Sequence, residues 1–142
     1  MERKYAAGVN ARFRIHKSKG WGLFAGIGPF YEYEKWNFDG ISDDSLIPPN
    51  ETFRTQKNLK LGSYISLKYT LQDFLIDVSV YHQARFDEIF TFPRFASSAR
   101  ITYNFTKVLG LALTYQNIYD PKPLVPISKL FQKLELGFSV SF

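Results

Sequence analysis

The sequence predicts an all-β fold, an antiparallel up-and-down barrel that crosses a bilayer with its strands. Apolar and polar residues alternate with a period of two along about seven runs. Short and long connections alternate between those runs. Aromatic side chains, 18% of the 142 residues, gather near run ends on one parity.

In the first run, Tyr5, Ala7, Val9, Ala11, Phe13 and Ile15 share one face, with Asn10, Arg12 and Arg14 on the other. The second sets Trp21, Leu23, Ala25, Ile27, Tyr31 and Tyr33 against Gly22, Phe24, Gly26, Gly28, Glu32 and Glu34. The third sets Leu59, Leu61, Ile65, Leu67 and Tyr69 against Lys60, Gly62, Tyr64, Ser66 and Lys68. In the fourth, Phe74, Ile76, Val78, Val80 and Phe86 oppose Asp77, Ser79, Tyr81, Gln83 and Arg85. The fifth opposes Phe95, Ala99, Ile101, Tyr103 and Phe105 to Arg94, Ser98, Arg100, Thr102 and Asn104. The sixth opposes Leu109, Leu111, Leu113 and Tyr115 to Gly110, Ala112, Thr114 and Gln116, and the seventh turns Leu134, Leu136, Phe138, Val140 and Phe142 outward. Apolar residues at i and i+2 over ten or so positions scatter around a helix of 3.6-residue period, so strands are the only element that gathers them. Runs of this length exceed the roughly five or six residues of an ordinary strand. No stretch reaches the ~18 consecutive apolar residues of a spanning helix, so any crossing of a bilayer is made by strands.

Lys17-Ser18-Lys19-Gly20, Leu71-Gln72-Asp73 and Thr106-Lys107 read as tight turns, whereas Asn37 to Gln56, Asp87 to Pro93 and Asp120 to Ser128 read as longer loops. Alternation of that kind places short turns on the periplasmic side of an outer-membrane barrel and longer loops outside. The last strand then descends, with the C-terminus periplasmic. Aromatic girdles fit this geometry: Trp21, Tyr69, Phe74, Tyr103, Phe105 and Phe142 at the short-turn ends, and Tyr31, Tyr33, Phe86, Phe95, Tyr115 and Tyr119 toward the long loops. The ten-residue steps Trp21 to Tyr31 and Phe95 to Phe105 each span roughly 25 Å at a tilt of ~40°, the height of a lipid-facing band.

The opposite face is expected to line a lumen, with Arg12, Arg14, Glu32, Glu34, Lys60, Lys68, Asp77, Arg85, Arg94, Arg100 and Glu135 as its charges. In a small barrel such charges, with Phe24, Phe30, Tyr64 and Tyr81, plug the interior more readily than they conduct through it. Seven runs leave an odd strand, and a single-chain bacterial barrel has an even number with both ends in the periplasm. The expectation is that residues 1–142 form one barrel domain, the C-terminal part of a longer barrel of eight or more strands, or one closed by another segment or chain. An unclosed sheet leaves two edges unpaired in lipid.

The ending Glu135-x-Gly137-x-x-Val140-x-Phe142 resembles the C-terminal signal read by the bacterial barrel-assembly machinery. Met1-Glu2-Arg3-Lys4-Tyr5 has charge but no apolar run after it, so no secretory signal lies there, and an exported barrel is expected to have lost one. Cysteine is absent, which excludes disulfides, thiolate metal sites and cysteine nucleophiles. The stretch from Leu59 through Phe142 resembles the uncharacterised salt-induced outer-membrane protein family, on Arg100-Ile101-Thr102-Tyr103-Asn104-Phe105, Leu111-Ala112-Leu113-Thr114-Tyr115-Gln116-Asn117 and the proline-containing loop before the last strand. The Gly-rich Gly22 to Gly28 also fits. The resemblance implies an outer-membrane location and transfers no catalytic residue.

Chemistry-bearing residues are sparse. His16 and His82 are the only neutral-pH bases; His82 falls on the lipid face, and Ser79 of the same run points away from it. Glu32 with Glu34, and Asp43-Asp44, are candidate cation holders for which salt-bridged or solvated side chains are the simpler account. No phosphate loop or nucleotide fingerprint occurs, and no metal or cofactor is expected. The net charge of +5 suits the phosphates of lipopolysaccharide and anionic headgroups better than nucleic acid, because the aromatic face is otherwise Leu, Ile and Val. The expected partners are therefore outer-membrane lipid and lipopolysaccharide, the assembly machinery during insertion, and an envelope protein partner. The function expected is non-enzymatic, structural, binding or as an accessory subunit, with a narrow channel for small polar solutes and a soluble lipocalin-like ligand-binding barrel as alternatives.

Overall fold

A computed structural model of the chain describes residues 2–38 and 52–140. The described residues form β-strands and no helix: β1 (Arg3–Gly8), β2 (Ala11–Ser18), β3 (Trp21–Asn37), β4 (Phe53–Leu71), β5 (Phe74–Arg85), β6 (Arg94–Asn104), β7 (Leu109–Tyr119) and β8 (Leu130–Val140). All pairings are antiparallel, and the order β1-β3-β4-β5-β6-β7-β8, with β2 also on β3, makes one curled, barrel-like sheet.

β1 and β2 are two halves of one strand. Both lie along β3 on a common register, from Arg3↔Lys35 through Gly8↔Phe30 to Ala11↔Ile27 and Arg14↔Phe24. The interruption falls opposite Pro29. Val9 N–H donates to the Pro29 carbonyl at 3.2 Å, and proline has no N–H to return, so one rung of the ladder is lost. The backbones are close here: a Cβ on Gly28 would fall onto the Val9 carbonyl oxygen and lie 2.8 Å from Asn10 Cα. The register slips once more between Arg14 and His16, which puts His16 rather than Ile15 against Leu23 just before the turn.

Two tight turns use left-handed backbone. Gly20, with φ 95°, closes β2 on β3, and Gln72, with φ 49°, closes β4 on β5. The third short connection, 105–108, is held by the Thr106 hydroxyl, which accepts from the Val108 and Leu109 amides at 3.2 and 2.9 Å. The long connections 86–93 and 120–129 lie at the other end of the sheet. The third is shorter than the sequence suggests. Phe53 to Gln56 are not loop but strand, paired from Asn37↔Phe53 to Glu34↔Gln56. The candidate cation holders Asp43-Asp44 lie outside the described residues.

The sheet inverts the polarity of a water-soluble protein. Its buried side chains include Glu32, Glu34, Lys60, Ser66, Ser79 and Thr102, while Ile27, Ile65, Val80, Ile101, Leu113, Leu136 and Phe138 are all exposed. Pleating accounts for the division: every outward residue of one strand is registered with an outward residue of the next, as in Trp21↔Tyr69, Tyr69↔Ile76, Ile76↔Ile101, Ile101↔Leu113 and Leu113↔Leu136. The strands β1–β2 and β8 form the two outer edges, and both run from the long-loop end toward the short-turn end.

Candidate functional site

The concave face concentrates its charge at the long-loop end. β3 and β4 have 17 and 19 residues against 11 or 12 in β5 to β8. Because β4 pairs with β5 only from Lys60↔Arg85 downward, the upper β3–β4 ribbon overhangs the rest of the sheet. The loops 86–93 and 120–129 fold in beneath it.

Alternation along β3 turns Glu32 and Glu34 inward, one pleat apart and 2% and 3% exposed. Lys4 of β1, registered with Glu34, reaches both carboxylates at 2.7 Å. Lys60 of β4 bonds Glu32 from the other side. Arg94, first residue of β6, approaches Glu34 at 3.3 Å and Glu32 at 3.6 Å and holds Asp120, just past β7, at 2.6 Å. Three carboxylates thus meet three cations. Buried charges are tolerated when each has a counter-ion and its hydrogen bonds, and here signs alternate through the cluster. The connection 120–129 covers it: Val125 is buried, and the Leu124 carbonyl accepts from Arg54 at 3.2 Å. Lys122 crosses to Glu88 at 3.2 Å with its ammonium over the Phe92 ring. Outside the cluster, Arg85 grips Asp87 at 2.6 Å and reaches Glu88 at 3.8 Å. That guanidinium holds the Asp87 carboxyl below the usual carboxylate range. Trp36 Nε1 is buried with no hydrogen-bond partner among the described residues.

Toward the short turns the concave face becomes a polar trough. Ser79 donates to Ser66 at 3.0 Å, Lys68 pairs with Asp77 at 3.0 Å, and Arg100 bonds Thr102 at 3.4 Å. Tyr64 and Tyr81 lie 5.7 Å apart between the two regions. Arg12 sits over the Phe24 ring at 4.5 Å, and Glu135 pairs with Lys133 on its own strand at 2.8 Å. Arg14 occupies the free β2 edge and meets no counter-ion among the described residues. Of the charges expected in a lumen, Glu32, Glu34, Lys60 and Arg94 therefore converge, Lys68 and Asp77 form a second pair, and Arg12, Arg14, Arg85, Arg100 and Glu135 stand apart.

Comparison with known protein families, curated proteins and solved structures finds no match.

On the convex face the aromatic residues cluster at both ends. Phe74 and Tyr103 lie 4.8 Å apart and Tyr103 meets Phe105 edge-on at 5.2 Å, near Trp21 and Tyr69 by register. At the other end Tyr5 meets Tyr33 at 6.0 Å, Tyr31, Phe86, Phe95 and Tyr119 are exposed, and Phe95 is registered with Tyr119. Tyr115 sits further down its strand, opposite Ala99 and Leu134, its hydroxyl accepting from Gln132 at 2.8 Å. Of the expected assembly signal, Glu135, Gly137 and Val140 lie on β8 and Phe142 lies outside the described residues.

The histidines hold ordinary positions. His16 stacks on Trp21 at 4.2 Å beside the first turn. His82 lies on the convex face against Phe95, at 5.3 Å, with Ser63 Oγ 3.5 Å from its Nδ1. Ser63 escaped sequence reasoning because it lies on the neighbouring strand. Among the described residues no carboxylate bonds to His82, so nucleophile, base and orienting group are not assembled. Lys4 and Asp120 also escaped it. Lys4 shares the parity of Arg12 and Arg14, which was the available signal, whereas Asp120 enters only through the fold of its loop.

Proposed function

We propose that the chain is an integral β-barrel protein of a bacterial outer membrane, with a non-enzymatic structural, binding or accessory-subunit role in the envelope. One observation carries this reading: a continuous apolar convex face beside a charged and hydroxylated concave one. Soluble monomers rarely expose apolar patches beyond a few hundred Å², and a lipocalin-like barrel would place such residues inside. Lipid is the solvent that stabilises this arrangement, with aromatic residues at the two interfaces and basic residues at headgroup phosphates.

Strand direction specifies how the barrel closes. Both edges run the same way, so antiparallel closure takes an odd number of further strands beginning and ending in the opposite sense. A second copy inserted in the same orientation presents two edges of the same direction and does not satisfy this. The closing strand belongs to a further segment of the polypeptide or to an envelope partner.

Membrane fractionation followed by gel migration of heated and unheated samples in detergent tests the reading. Recovery with the outer membrane and a heat-dependent shift are expected. A product that stays in solution without detergent and shows no shift would refute it.

A further inference from the structure

Between the overhanging part of β4 and the two loops folded beneath it lies a half-open cavity of about 190 Å³ at the long-loop end. Its floor is a run of alternate inward residues of β4, Gln56, Asn58 and Lys60, continued on β5 by Gln83 and Arg85. We propose that this cavity binds one ring of an anionic saccharide, a sugar bearing a phosphate or a carboxylate.

The amides determine the saccharide part. Gln56, Asn58 and Gln83 line the cavity and are half-buried, yet none makes a side-chain hydrogen bond to another described residue. Each offers an acceptor oxygen and two donor hydrogens, the combination that vicinal hydroxyls pair with. Gln83 has room to do so, because its registered neighbour on β4 is Gly62. An apolar ligand would leave all three amides desolvated and unpaired.

The cations determine the charge. Five basic residues line the cavity, Arg54, Lys60, Arg85, Arg94 and Lys122, against two acidic ones, Glu88 and Asp120. The counter-ions of Lys60 and Arg94 on β3 lie behind the wall, and Asp87, the nearer partner of Arg85, is largely exposed. Arg85 holds the exposed Asp87 carboxylate through Nε and Nη2, and a ligand phosphate or carboxylate takes the place of that carboxylate on the same fork. A bare divalent cation is disfavoured by the same count. The volume is below the ~300–1,000 Å³ of a drug-sized site, which limits the occupant to about one ring. The inference is independent of the membrane reading, since the cavity lies at the long-loop end of the β4–β5 ladder and on the concave face.

Titration calorimetry of the full chain with a panel of hexose phosphates and hexuronates, beside glucose and inorganic phosphate, tests the proposal. At least one panel member is expected to bind 1:1, at least tenfold tighter than glucose or phosphate alone. Asn58→Leu with Gln83→Leu is expected to weaken that ligand roughly tenfold; neither side chain bonds another described residue, so an unchanged far-UV circular dichroism spectrum is expected. Arg85→Gln, at a half-exposed position, is expected to remove the preference for the charged sugar over glucose. The proposal is overturned if no panel member binds saturably, if inorganic phosphate binds as well as the sugars, or if both variants bind like the parent.

Discussion

Gly28→Ala probes the tightest approach in the sheet. The new methyl would fall onto the Val9 carbonyl oxygen and 2.8 Å from Asn10 Cα, with the Val9 carbonyl carbon at 2.9 Å. All three are backbone atoms, so no rotamer relieves the overlap and β1–β2 must move off β3. The rung from Val9 to Pro29, already single because proline returns no bond, is lost with its immediate neighbours. Two or three such bonds at about 1 kcal/mol each, with the associated packing, give roughly 2–4 kcal/mol of destabilisation. Gly137→Ala supplies the comparison, because a Cβ there meets nothing within 4 Å. Alanine in a strand interior is otherwise favoured over glycine by about 0.5–1 kcal/mol. Denaturant unfolding in detergent, followed by tryptophan fluorescence, should place Gly28→Ala well below the parent and Gly137→Ala level with it or above. Equal midpoints for the two variants would refute the close approach of β1–β2 to β3.

Glu32→Gln leaves the Lys4 and Lys60 ammoniums facing one remaining β3 carboxylate in a buried cluster, and a loss of about 3 kcal/mol is expected. Adding Lys60→Met should recover much of it, and an unchanged denaturation midpoint for the single variant would mean the cluster is open to solvent. Gln72→Gly removes a side chain from a position at φ 49°, where an L-residue carries a cost of about 1 kcal/mol. A gain of up to about 1 kcal/mol is expected in the same assay, and destabilisation would place Gln72 outside the left-handed region.

Where a feature depends on chain order alone, it could be read from the residues. Period two sorts Trp21, Leu23 and Ile27 from Gly22, Phe24 and Gly26, and the all-β antiparallel fold follows with it. Tight turns at Lys19-Gly20 and Gln72-Asp73 are local, so they too are visible. Features that depend on register were not. Lys4 meets Glu34 because β1 continues the β2 alignment past Pro29, and nothing in either residue's neighbourhood announces it. Phe53 to Gln56 read as loop because Arg54, Gln56 and Asn58 are polar, whereas pairing with β3 extends the strand through them. Arg94 and Asp120 are 26 residues apart and meet only because the last long connection folds inward. The Ser63–His82 contact is likewise a cross-strand pair, invisible to any reading along one strand.

The uneven strand lengths assign separate tasks to the two ends of the sheet. The ladder common to β4 and β5, from Lys60↔Arg85 to Leu71↔Phe74, rises roughly 28 Å at ~3.3 Å per residue and a tilt of ~40°. That matches the thickness of a bilayer's apolar layer, and on the membrane reading proposed above the further rise of β3 and β4 stands clear of it. Within the ladder the interior carries the hydroxyls of Ser66, Ser79 and Thr102 beside the Tyr64–Tyr81 pair and the Lys68–Asp77 ion pair. Above it the ion cluster ties β1, β3, β4 and β6 to the final loop through Arg94 and Asp120. A channel reading has to pass solute through that knot. Opening it would separate six charged groups that now satisfy one another, at several kcal/mol. On the reading proposed above, an ion cluster at the long-loop end with a small polar cavity beside it favours binding over conduction, on the side away from the short turns.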